Sequence, residues 1–122
     1  MLAQKFRFHG HGSLRYVYRN GKTERTRTIT LRYSLNPRRK QPRVAVIVAK
    51  KVLKRAVKRN RVRRRIYEII REELPHIDRS YDIALTVFSA ELLDTPHDEL
   101  RYQVRGVLQQ AKIIPEDSPE RP

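Results

Sequence analysis

Arg43-Val44-Ala45-Val46-Ile47-Val48-Ala49 runs straight into Lys50-Lys51-Val52-Leu53-Lys54-Arg55-Ala56-Val57-Lys58-Arg59-Asn60-Arg61-Val62-Arg63-Arg64-Arg65. The first segment is almost wholly apolar and β-branched, the composition of a central strand covered on both faces. The second holds ten Lys or Arg in sixteen residues and no acid. At 100° per residue, Val62, Ile66, Ile69 and Ile70 share one helical face, with Val52 and Ala56 near its edge. Lys54, Lys58, Arg61, Arg64 and Arg65 fall opposite, and Asn60 lies toward the edge of that basic side. A helix with a sheet-facing stripe and an all-positive face of two to three turns has the length to follow a phosphate ladder. From Arg59 on, Arg outnumbers Lys, and its planar fork suits bidentate phosphate contacts. A merely solvated face would mix both signs of charge in i,i+4 pairs, and this one does not.

The helix should end near Leu74-Pro75, because proline disfavours helix at the residue before it. Ile83 to Phe88 reads as a second apolar strand. On the N-terminal side, Ile29, Leu31, Tyr33 and Leu35 alternate with Thr28, Thr30, Arg32 and Ser34, a strand with one wet face. Ser13 is the expected cap of a short helix, Leu14 to Asn20, stopped by Gly21 in the left-handed region. Asn36 to Pro42 reads as a basic loop. Toward the C-terminus, Thr95 is the expected cap of a last helix, with Pro96 first, Asp98 and Glu99 in its positive first turn, and a stripe of Leu100, Val104, Val107, Leu108 and Ala111.

These elements give one α+β domain over residues 1–114, with 1–12 as an N-terminal extension and the proline-rich, charged stretch 115–122 as a disordered tail. There is no apolar run of about 18 residues and no secretory pattern at the N-terminus. With no cysteine, disulfides and thiolate metal sites are excluded. A cytoplasmic protein is the expectation.

Charge narrows the function. Residues 1–65 hold 22 Lys/Arg against one acid, Glu24, and residues 66–122 hold 6 against 12. Such a basic half calls for a polyanion. A membrane surface is the weakest candidate, because the basic run lacks the Trp and Phe of an interfacial helix. DNA reading usually needs a dimer or tandem modules, and neither a zipper nor a repeat is present. RNA remains. Base-independent binding of a single strand wants aromatic platforms beside a cationic groove, and Tyr16, Tyr18 and Tyr33 are the candidates. Core packing of Tyr16 or Tyr33 is the competing reading. Glu68, Glu72 and Glu73 are explained by ordinary helix ion pairs, and His9 with His11 is a weak metal-ligand signal.

The run Arg43 to Val52, followed by Arg59-Asn60-Arg61-Val62-Arg63-Arg64, resembles the protein subunit of bacterial ribonuclease P. The resemblance covers roughly residues 13 to 112 and is most specific over 43–72. Leu14 and Tyr18, four apart before Asn20-Gly21, and Asp82 opening an apolar strand fit it more loosely. Leu14 stands where that family usually has Phe, and Phe88-Ser89 where it often has a basic residue.

The resemblance implies a two-layer α+β sandwich of about four strands and three helices. It also implies a left-handed β-α-β crossover, as in the second domain of a small-subunit ribosomal protein, against the general right-handed rule. It further implies an endoribonuclease assembly that removes the 5′ leader from precursor tRNA. In that assembly the catalytic RNA holds the Mg²⁺ ions and the protein alone is inactive. Lys50, Lys51, Lys54, Arg55, Lys58, Arg59, Asn60, Arg61, Arg63, Arg64 and Arg65 are then the contacts to the RNA subunit. Leu14, Tyr18, Thr30 and Tyr33 would line the leader cleft, and no residue of the chain would be catalytic or hold metal. A ribosomal or other structural RNA-binding protein, without turnover, is the alternative that composition alone allows.

Overall fold

The computed structural model describes residues 11–115. Its order is α1 (His11–Asn20), β1 (Lys22–Arg25), β2 (Ile29–Leu35), β3 (Arg43–Val48), α2 (Ala56–Glu73), β4 (Tyr81–Val87) and α3 (His97–Gln110), with short 3-10 turns at Leu74–His76 and Ala90–Leu93. The four strands form one mixed sheet in the order β1-β2-β4-β3. β2 pairs antiparallel with β1 and β4, and β3 runs parallel to β4 with Arg43 opposite Asp82 and Val48 opposite Val87. The α+β class is as expected. Of the expected tail 115–122, residues 116–122 lie outside the described residues. No helix among the described residues is long and apolar enough to cross a membrane.

Alternation sorts the sheet into two faces. Ile29, Leu31 and Tyr33 of β2, Val44, Val46 and Val48 of β3, and Ile83, Leu85 and Val87 of β4 point to one side. There they meet Val62, Ile66, Ile69 and Ile70 of α2 and Leu100, Val104, Val107 and Leu108 of α3. α1 packs on the other side, against β2 and β4, with Val17 fully buried.

Five expectations are corrected. The Val44–Ala49 segment is not central: β3 is an edge strand, and β4 holds the centre between β2 and β3. Only one face of the apolar run is covered: α2 lies over Val44, Val46 and Val48, where the Tyr67 hydroxyl accepts a hydrogen bond from Val46 N–H at 3.0 Å, while Ala45 and Ile47 on the other face stay partly exposed. Secondly, α2 starts at Ala56, so Lys50 to Arg55 form a turn and an extended lead, with Val52 N–H and Leu53 N–H both bonded to Ala49 O. Thirdly, α1 already includes His11, which places Ser13 inside the helix. Gly21 is not left-handed; a Cβ there would sit 2.5 Å from Val17 O and 2.8 Å from Tyr33 O, so close backbone approach is what demands glycine. Finally, α3 starts one residue later than expected, with Pro96 at the cap, and the Thr95 hydroxyl donates back to Glu91 O at 2.8 Å. β1, polar and mostly exposed, carries no apolar alternation by which to read it.

Candidate RNA interface

The basic segment divides into residues that hold the structure and residues that are free. The Arg59 guanidinium donates to Leu53 O at 2.9 Å and Lys54 O at 2.7 Å, fixing the lead into α2. Arg65 reaches across to donate to Leu92 O at 2.7 Å and Leu93 O at 3.0 Å, and also to Thr95 O. That lashes α2 to the Ala90–Leu93 turn and the entry to α3. Arg63 donates to the Asn60 side chain one turn back, which occupies the Asn60 amide oxygen. Arg65 was expected on the phosphate-facing side; it belongs to the fold, because three carbonyls at a turn end need a donor and its fork supplies one.

What remains is a continuous cationic surface. Lys50, Lys51, Lys54, Arg55, Lys58, Arg61 and Arg64 are exposed, and none of their side chains has a hydrogen-bond or ion-pair partner among the described residues. On α2 the outward ridge runs Val57, Arg61, Arg64, Glu68, Arg71 at i, i+4, i+7, i+11 and i+14. Glu68 pairs with Arg71 at 2.9 Å, and that guanidinium holds the Glu68 carboxyl below the usual range. The unpaired positive stretch therefore ends after Arg64. No acid breaks it from Lys50 to Arg64.

The expected cleft is reorganised. Tyr18, on the outer flank of α1, bonds Thr86 Oγ1 through its hydroxyl at 3.1 Å, and the Arg32 guanidinium lies over its ring at 4.8 Å. Thr30 pairs with Thr86 across the β2–β4 ladder on this same face, but is buried. Leu14 is half-buried on α1. Tyr33 does not join them. It points to the opposite face, 9% exposed, in an edge-to-face contact with Tyr81 at 5.9 Å, and burial pushes its phenol up. Core packing accounts for Tyr33, and Arg32 takes the place beside Tyr18. The sequence held this signal already: alternation groups Tyr33 with Ile29 and Leu31, and Arg32 with Thr30.

Two buried charge clusters support the interface without belonging to it. Arg43 donates to both oxygens of Asp82 at 2.9 Å, and Asn36 Nδ2 adds a third bond at 3.0 Å. Glu73, expected in an ordinary helix-surface pair, is instead buried between Arg105 of α3 and His76, each at 3.2 Å. His9 lies outside the described residues, as does the side chain of His11.

The Ribonuclease P family model matches residues 2–112. The ribonuclease P protein component of Chloroflexus aggregans is 31% identical over 110 residues, covering 88% of this chain and 80% of that protein. That of Chloroflexus aurantiacus is 36% identical over 78 residues, which cover 64% of this chain and 57% of that protein. A mutant of the Staphylococcus aureus RNase P protein superposes with a TM-score of 0.82 at 22% identity, over 91% of this chain and 92% of that one, a likeness of fold.

Proposed function

The chain belongs to the ribonuclease P protein component family, and from that membership we propose that it is the RNA-binding subunit of a cytoplasmic ribonuclease P, assisting a catalytic RNA in removing the 5′ leader of precursor tRNA. The observation that carries the reading is the acid-free run from Lys50 to Arg64, seven of whose cations have no partner among the described residues. Docked on the catalytic RNA, each phosphate contact releases condensed counterions, which makes assembly strong and steeply salt-dependent. The free Lys and Arg side chains serve as phosphate contacts, while Arg59, Arg63 and Arg65 fix the elements that present them. On the α1 face, Tyr18 with Arg32 across its ring offers a stacking platform that tolerates any base, which suits leaders of varied sequence. Mg²⁺ in this reading is held mainly by the RNA subunit, which carries the chemistry, and the protein contributes binding and positioning. A structural RNA-binding role without turnover would use the same basic surface, and family membership does not favour it.

The test is reconstitution. The purified chain, added to a bacterial ribonuclease P RNA at low Mg²⁺, should accelerate 5′ maturation of precursor tRNA, and the chain alone should not cleave it. Binding to the RNA with no acceleration would return the structural alternative.

A further inference from the structure

On the side of α1 away from the Tyr18 platform lies an open groove of about 450 Å³ between that helix and the β2–β3 loop. Tyr16 forms one wall; Leu35, Pro37 and Arg38 form the other; Ser34 and Asp82 make the floor. Tyr16 and Tyr18 are two residues apart on a helix, about 200° around its axis, so they serve different sides. Tyr16 is 58% exposed and Leu35 46% exposed. An aromatic ring and an aliphatic side chain thus face solvent across one groove, with no structural need met by either.

From this geometry we infer that the groove is a second stacking subsite, which takes one unpaired nucleotide of single-stranded RNA between Tyr16 and the Leu35–Pro37 wall. The inference rests on the RNA-binding reading above and adds a site to it. Charge selects the ligand class. Asp82 is the one carboxylate in the lining, and Arg43 and Asn36 occupy it with three hydrogen bonds of 2.9, 2.9 and 3.0 Å. Arg38 on the loop lines the groove and stands exposed, so its rim is positive. The wall is also pre-formed. Asn36 N–H donates to Ser80 O at 2.9 Å, the Ser80 hydroxyl donates back to Asn36 O at 2.7 Å, and Arg38 N–H donates to Asn36 Oδ1 at 3.2 Å. A fixed wall, a free ring and a cation at the rim suit a flat, anionic ligand bound without base specificity.

The chain has no tryptophan, so a Tyr16→Trp variant carries a single reporter. Decauridylate added to the full chain should quench its fluorescence, whereas a ten-base-pair RNA duplex, bound through phosphates alone, should not. Tyr16→Ala should weaken decauridylate binding by about 5-fold or more, and Tyr16→Phe should retain it. Arg38→Ala should lower the slope of log K against log salt by roughly 0.7. In the holoenzyme the source of the nucleotide is separable. Quenching on addition of the catalytic RNA alone assigns the groove to an unpaired nucleotide of that RNA; quenching only with precursor tRNA assigns it to the leader. No quenching in either arm, or equal quenching by duplex and single strand, overturns the subsite. Acceleration of precursor cleavage by the same variant is scored separately, so a failed groove with retained acceleration leaves the proposed function standing.

Discussion

Tyr18 and Tyr33 share a residue type and differ in everything that decides their use. Tyr18 keeps 39% of its surface exposed, with a guanidinium across its ring, whereas Tyr33 is wedged against Tyr81 in the core. Stacking of one base is worth about 1–3 kcal/mol, so Tyr18→Ala should weaken binding of precursor tRNA to the holoenzyme by roughly 5- to 150-fold. Mature tRNA, which lacks the leader, should bind nearly as before. Tyr33→Ala removes a buried aromatic and should cost about 3–5 kcal/mol of folding stability, affecting both ligands together through loss of folded protein. Dissociation constants for precursor and mature tRNA, taken with melting midpoints of the two variants, check the contrast. Equal weakening of both ligands by Tyr18→Ala, with a lowered midpoint, would reassign Tyr18 to packing.

At the scale of elements, α2 performs two tasks with one residue type, and substitution should separate them. Arg61 and Arg64 are free; Arg65 is bonded to carbonyls of residues 92, 93 and 95. Replacing Arg61 and Arg64 together by Ala should flatten the salt slope of RNA binding by roughly 1.5 without lowering the melting midpoint. Arg65→Ala should leave the slope alone and lower stability, since it strips the donor from part-buried carbonyls. Tyr67→Phe should cost about 1–3 kcal/mol by orphaning Val46 N–H at the β3 edge, with little effect on RNA affinity once folded. The existence of β2, β3, α2, β4 and α3 was legible because each carries its period or apolar run for several residues. The division inside the basic segment was not. Arg61 and Arg65 look alike on a helical wheel, and the carbonyls that claim Arg65 lie 27 to 30 residues further along the chain. The place of β3 at an edge was likewise hidden, since an apolar run does not record which strands flank it. Tyr33 was legible too, since alternation groups it with Ile29 and Leu31 on the dry face, and an exposed platform there would break that period.

The whole molecule separates its charge along the chain, 22 Lys/Arg to one acid over residues 1–65 and 6 to 12 beyond. Folding joins the halves at Arg43–Asp82, which is buried, and at Arg27–Glu91, which is exposed. The cations from Lys50 to Arg64 gain no such partner among the described residues and repel one another across a few turns. Screening acts on this repulsion directly, because the Debye length falls from about 10 Å at 0.1 M salt to about 3 Å at 1 M. The buried Arg43–Asp82 pair is screened far less. The melting midpoint of the free protein should therefore rise between 0.1 and 1 M KCl. Chloride is the salt of choice because sulfate and phosphate strengthen apolar burial by exclusion. With saturating RNA the sign should reverse. Bound RNA stabilises the fold by RT ln(1 + [L]/Kd), and salt raises Kd steeply through counterion uptake on release. The two midpoint curves should converge as salt rises, the free protein climbing and the complex falling. The Arg61→Ala, Arg64→Ala double variant should start with a higher free midpoint at low salt and show a shallower climb. A free midpoint that instead falls with KCl would mean that attraction between the two halves outweighs repulsion within the basic one. The cationic surface would then be a balanced part of the fold and not a site held open for a polyanion.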